Sequence, residues 1–209
     1  MILVIAIDGP AAAGKGTLAR RLAAALALPY LDTGLLYRAV GRRLLDQVVD
    51  PRDAVLAEAA ARGLLPEDLH RTDLRGPAAD MAASEVAAIP AVRAALLDWQ
   101  RDFAREAGAV LDGRDIGTVV FPEAQIKLFV TAALEERARR RLAELHGRGV
   151  AAVFEQVETE LRMRDTQDSG RSTAPLKPAA DAILLDTTHL DAEAAFAQAM
   201  EVVGQRIAE

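Results

Sequence analysis

Gly9-Pro10-Ala11-Ala12-Ala13-Gly14-Lys15-Gly16-Thr17 sets glycines, a lysine and a hydroxyl at the spacing of a phosphate-binding loop. Glycines let the backbone wrap closely, so that successive N–H groups converge on an anion. A helix opening near Gly14 would add free donors and a favourable dipole. Lys15 is one of three lysines, with Lys127 and Lys177, among 25 basic residues, so a lysine here carries more information than an arginine would. Its ammonium can reach the β- and γ-phosphates of a nucleoside triphosphate and offset charge that moves during transfer. The position after the lysine usually carries Ser or Thr, which helps hold Mg²⁺. Here it is Gly16, with Thr17 next, so Thr17 is expected on a phosphate and the metal through water. The competing reading, a glycine-rich turn that merely joins a strand to a helix, leaves the lysine and the spacing unexplained.

A second acidic segment, Ala109-Val-Leu-Asp112-Gly113-Arg114-Asp115, is an apolar run ending in acids. An aspartate at the C-terminal end of such a strand can orient Mg²⁺ and its waters beside a phosphate loop, which favours function for Asp112. For Arg114 and Asp115 the spacing alone leaves a polar turn equally open. Arg164, Asp168 and Arg171 stand at i, i+4 and i+7, on one helical face if a helix runs that far. A surface ion pair accounts for that spacing as well. Arg38 shares a polar helix face with Arg42 and Arg43, and Ser84 and Arg93 lie in an Ala-rich helical stretch where each by itself reads as a surface residue. The run Arg137 to Arg141 reads as the exposed face of a charged helix, with Glu135 and Glu136 one turn earlier. His70, His146 and His189 show no ligand spacing, so no zinc site is expected.

The elements that must carry these residues alternate. Ile2 to Ile7 is uninterrupted and apolar, as buried parallel strands are. Gly14 to Leu28 follows as a helix with Leu18, Leu22, Ala25 and Leu26 on one face. Pro29 to Asp32 is a short strand and Leu35 to Gln47 a helix. Ala109–Asp112 and Ile126–Val130 are strands, Glu135 to Leu145 a helix, Ala182–Asp186 the last strand, and Asp191 to Ile207 the last helix. This order predicts an α/β fold of the P-loop NTPase type, a parallel sheet with helices on both faces. The core is expected over about 1–47, 93–146 and 179–209. An acceptor-binding insert is expected at about 48–92, and a lid segment, rich in charge and glycine, at about 147–178.

Composition narrows the class. The chain has 209 residues, half of them apolar, which suits one domain with small inserts. A net charge of −6 argues against a broad nucleic-acid surface. Cysteine is absent, so disulfides and thiolate chemistry are excluded. No apolar run is long enough to span a membrane and the first residues lack a basic leader. A cytoplasmic monomer that binds small nucleotides is expected.

Four blocks give the chain a resemblance to bacterial-type cytidylate kinases: residues 9–17, Leu31-Asp-Thr-Gly-Leu-Leu-Tyr-Arg38, Asp112-Gly-Arg-Asp-Ile-Gly-Thr-Val-Val-Phe-Pro122, and Arg164…Asp168…Arg171 before Ala174-Pro175. Many kinases share the first block; the third is specific to this family. The resemblance implies ATP-dependent transfer to CMP, and to dCMP, with Mg²⁺ accompanying ATP. It implies that Thr33, Arg38 and Arg114 hold the acceptor phosphate, whose roughly two negative charges repel the ATP phosphates until arginine forks offset them. It implies that Asp115, with Arg93 and Ser84, reads the base, because a carboxylate accepts from the cytosine amino group and finds no donor on uracil. Arg164 and Asp168 would contact the acceptor ribose, and Arg171 would close over the phosphates. The family's insert carries a small antiparallel sheet, whereas the stretch Gly63 to Arg75 here shows no pair of alternating strands, so the insert is expected to be trimmed.

Other readings remain at this point. A P-loop kinase for another small acceptor would share residues 9–17 but not the Asp112–Asp115 block. A nucleotide-binding regulator would act through a partner. A guanine-specific switch would carry an Asn-Lys-x-Asp signature, and neither Lys127 nor Lys177 sits in one.

Overall fold

The structure, a computed structural model, describes residues 2–208. The ends of the expected core at Met1 and Glu209 lie outside the described residues. Five strands, β1 (Val4–Asp8), β2 (Tyr30–Asp32), β3 (Ala109–Gly113), β4 (Ile126–Thr131) and β5 (Ile183–Asp186), form one sheet in the order β2-β3-β1-β4-β5. Among the described residues eight α-helices follow in order: α1 (Lys15–Ala25), α2 (Thr33–Asp46), α3 (Ala54–Arg62), α4 (Pro77–Ala87), α5 (Pro90–Ala104), α6 (Leu134–Gly147), α7 (Phe154–Ser169) and α8 (Ala192–Ala208). A short 3₁₀ turn, Pro66–His70, and a π-helical turn, Ile116–Val120, complete the described elements.

β1 pairs in parallel with β3 on one side and β4 on the other, and β4 pairs in parallel with β5. Every residue of β1 and β3 is buried, which is why both read as unbroken apolar runs up to their terminal residues. The register sets Ile7 opposite Asp112 and Asp8 opposite Gly113. The loops after β1 and β3 therefore leave the sheet together at its carboxyl edge, where open α/β sheets place their ligands.

The chain divides into two compact units: residues 1–30 with 107–209, and residues 31–106. In the first, Ile5, Ile7, Val110, Ile126, Leu128 and Val130 from the strands pack with Leu18, Leu22, Ala199 and Val203 from α1 and α8. The buried residues of α1 are Lys15, Leu18, Ala19, Leu22 and Ala23, and Leu26 packs against the same core, so the expected face is the covered one except at Ala25, which is exposed. A small satellite cluster joins Ala138 and Leu145 of α6 to Val157 and Leu161 of α7. α7 fills part of the charged segment expected as a lid, and carries Arg164 and Asp168.

The second unit is helical. α2 packs on α4 and α3 packs on α5. A Cβ on Gly41 of α2 would lie 2.8 Å from the Ala82 Cβ of α4, so these helices approach as closely as glycine permits. Pro77 and Pro90 open α4 and α5, where the missing N–H costs nothing. The Asp53 carboxylate caps α3 by accepting from the N–H groups of Val55 and Leu56. None of the five strands falls within residues 48–92.

Candidate active site

The loop after β1 is held in a shape few residues adopt. Gly9 has φ +147°, and a Cβ there would lie 1.9 Å from the Val130 carbonyl oxygen. Ala12 (φ 61°) and Gly14 (φ 88°) are also left-handed, and Gly14 caps α1. The loop's carbonyls are bonded to protein donors. Pro10 accepts from Lys15 Nζ at 2.8 Å, Ala11 from Arg137 Nη1 at 3.2 Å and Ala13 from the Thr187 hydroxyl at 3.1 Å. Lys15 is thus folded over the loop it serves and is buried. Thr187 had no signal in the sequence, since an isolated threonine after a strand is ordinary.

Asp112, the penultimate residue of β3, faces the start of α1. Its Oδ2 accepts from the Tyr30 hydroxyl at 2.9 Å and lies 3.1 Å from where a Cβ on Gly16 would sit. This contact explains the departure at position 16: a serine or threonine there would press on the Asp112 carboxylate, and glycine lets the acid reach the phosphate loop. Thr17, the remaining hydroxyl, is exposed.

Asp8, at the end of β1, was not singled out by sequence, although it ends an apolar strand just as Asp112 does. Its two oxygens accept from the N–H groups of Ile116 and Gly117, each at 2.7 Å, and so pin the start of the π-helical turn that follows Arg114 and Asp115. Burial pushes its pKa up to about 6; the two N–H bonds oppose this, the nearby Asp115 adds to it and Lys15 opposes it. From the other side, Gly117 lies against the Lys127 methylenes, whose Nζ donates to the Pro122 carbonyl and pairs with Asp181. Lys127 is therefore a support of this turn.

Arg114, Asp168 and Arg171 come together. Arg114 Nε donates to Asp168 Oδ2 at 2.8 Å, and Arg171 Nη2 donates to Asp168 Oδ1. Asp168 is 2 % exposed, which shows that this is no surface ion pair. Burial alone would raise its pKa, but the guanidiniums of Arg114, Arg171 and Arg164 outweigh that and hold the carboxyl below the usual range. α7 ends at Ser169, so Arg171 is not on the helical face the spacing implied. It turns back from the segment beyond, which closes where the Leu176 N–H donates to the Asp168 carbonyl.

In the unit 31–106, Thr33 is buried in the first turn of α2. Arg38 is not a solvated member of a polar face: its Nε donates to Asp80 of α4 at 2.9 Å, and Asp32 lies 3.8 Å away. Ser84 and Arg93 are buried, against the reading of each as a surface residue. Arg93 Nη1 donates to the Ala87 carbonyl at 3.3 Å, and its guanidinium lies over the Tyr37 ring.

The basic run also departs from expectation. Arg137 is 5 % exposed, although Arg139 keeps the exposed character foreseen for the run. Arg137 lies in the first turn of α6, where the chain enters from β4 beside the phosphate loop, and so faces inward. Three places on the chain supply its partners, and helix periodicity cannot reveal any of them.

The family model described as cytidylate kinase matches residues 5–205. A cytidylate kinase of Granulibacter bethesdensis is 61 % identical over 206 residues, covering 99 % of both chains. One of Paramagnetospirillum magneticum is 60 % identical over 210 residues, covering 99 % of this chain and all of its own. Among solved structures, an uncharacterized protein from Eubacterium ventriosum shares the fold at 14 % identity, with a TM-score of 0.54 over 97 % of this chain and 98 % of its own. By the family match and by these relatives alike, the chain belongs to the cytidylate kinase family.

Proposed function

We propose that this chain transfers the γ-phosphoryl group of ATP to CMP, giving CDP and ADP, and uses dCMP as a second acceptor. The observation that carries this reading is the approach of the buried Asp112 carboxylate to the phosphate loop at Gly16, together with a buried Asp168 that joins Arg114 and Arg171, in a chain of this family.

The loop 9–17 binds the ATP phosphates through its N–H groups, and Lys15 leaves the Pro10 carbonyl to meet the β- and γ-oxygens. The donor set suits Mg²⁺, a hard cation usually held by one or two carboxylates together with substrate phosphates and water. Asp112 would hold it through water, with Thr17 on a phosphate. Bound there, the ion would offset charge on the β- and γ-phosphates during transfer. Arg114 and Arg171 supply positive charge to the transferring group, and their shared bond to Asp168 keeps both guanidiniums oriented before substrate arrives. Phosphoryl transfer needs positioning and charge more than a general base.

Thr33, Arg38 and Arg114 hold the acceptor phosphate. Arg38 exchanges its carboxylate partners for that phosphate, a stronger and geometrically matched anion. Ser84, Arg93 and Asp115 read the base, and Arg164 and Asp168 contact the ribose. Residues 48–92 belong to acceptor binding and 147–178 to a lid. No described helix is long and apolar enough to cross a membrane, and the enzyme works as a cytoplasmic monomer.

An ADP-release assay with ATP and Mg²⁺, run in parallel on CMP, dCMP, UMP, AMP, GMP and dTMP, tests the proposal. Strong turnover on CMP and dCMP with weak UMP activity supports it. Turnover on a purine nucleotide, or only acceptor-independent hydrolysis, refutes the acceptor assignment.

A further inference from the structure

We infer that Arg137 is a positioning residue that transmits the state of the phosphate loop to α7. The inference deepens the functional reading and rests on it for the roles of Arg164 and Asp168. Arg137 Nε donates to the Ala132 carbonyl at 2.9 Å, which fixes the side chain to the entry of α6. Nη1 donates to the Ala11 carbonyl at 3.2 Å, within the phosphate loop. Nη1 and Nη2 also form a fork on Asp165 of α7, at 3.1 and 2.6 Å. The guanidinium so donates to acceptors in three directions, and one group joins the loop after β1, the start of α6 and the middle of α7.

Asp165 directly follows Arg164 and precedes Asp168 by three residues on the same helix. A displacement of α7 relative to the phosphate loop would move both residues out of place. The apolar contacts run along the same path: Ala11 and Ala12 pack against the cluster of Ala138, Leu145, Val157 and Leu161. Those contacts are non-directional and permit sliding. The bidentate fork sets both distance and orientation, because planar guanidinium and carboxylate meet in one plane. Donor phosphates settling into the loop therefore act on α7 through Arg137, and donor binding orders the helix that carries acceptor contacts.

The test uses the full-length enzyme, hydrogen exchange of residues 154–169, and a non-hydrolysable ATP analogue with Mg²⁺ at saturation, without acceptor. Exchange in α7 should slow roughly tenfold in the wild type, a size typical of coupled sites. It should not slow in Asp165→Asn, which leaves the bonds of Arg137 to Ala11 and Ala132 in place and so keeps the analogue affinity within about twofold. Arg137→Met should lose the response and also weaken analogue binding. Lysine at position 137 gives a point charge without a fork, so Arg137→Lys should restore analogue binding more than it restores protection of α7. Equal slowing in wild type and Asp165→Asn, or none in the wild type, overturns the inference. If Arg137→Met fails to fold, Asp165→Asn decides alone. Because no acceptor is present, these outcomes are separate from the CMP assay, whose failure would overturn only the acceptor reading.

Discussion

Replacing Asp8 by asparagine should make the protein more stable at neutral pH and worse at its task. Asp8 is 4 % exposed and bonds two backbone N–H groups at 2.7 Å each. Even so, burial raises its pKa from 3.8 to about 6. The folded state therefore binds the Asp8 proton more tightly than the unfolded state does. The contribution of Asp8 is most favourable below pH 3.8 and is lost as pH rises through about 6. A shift of about two units at about 1.4 kcal/mol each makes the whole loss ~3 kcal/mol, of which ~2 kcal/mol falls between pH 4.5 and 7.5. Asparagine matches the protonated acid in shape and neutrality, and like it can accept only one of the two N–H bonds well. Wild type and Asp8→Asn should agree within about 1 kcal/mol at pH 4.5, while the variant should be the more stable by ~2 kcal/mol at pH 7.5. Urea unfolding of both proteins at the two pH values measures this difference directly. The functional cost follows from the lost second bond. The turn at 116–117 is held at one point instead of two, so kcat/KM for the acceptor should fall roughly tenfold, the loss of about 1.4 kcal/mol of positioning. A stability gap independent of pH, or a wild type that gains on the variant as pH rises, refutes this account of Asp8.

Gly16→Ala places a Cβ 3.1 Å from Asp112 Oδ2. It should raise the melting temperature slightly, since alanine is favoured over glycine in a helix by about 1 kcal/mol. It should lower kcat roughly tenfold by displacing the acid, and an unchanged kcat at saturating ATP and CMP would remove the steric account of Gly16. Asp115→Asn offers the base an amide that can donate as well as accept, so the ratio of kcat/KM for CMP over UMP should drop at least about tenfold; an unchanged ratio would take Asp115 out of base recognition.

Much of the architecture is legible along the chain because its signals are local. β1 and β3 are unbroken apolar runs, and Gly-rich spacing with a lysine marks the turn between strand and helix. Each depends on residues within one or two turns of one another. The helix over residues 154–169 is only weakly marked in the sequence for a related reason: it buries only Val157, Leu161 and Asp168. An apolar stripe that narrow has almost no helical periodicity to detect.

By itself the sequence determined the alternation of strands and helices, the phosphate loop, the family and the absence of thiol chemistry, because composition, spacing and short-range patterning encode these. Tertiary structure alone decided the rest. It placed Asp8 under the loop that follows β3, 108 residues away, and set Asp112 against Gly16. It drew Arg137 out of an apparently solvated run and joined it to Ala11 and Asp165. These outcomes depend on which strands become neighbours and on what each buried charge meets. A buried charge is tolerated only where distant groups satisfy it, and no local pattern records where those groups will be.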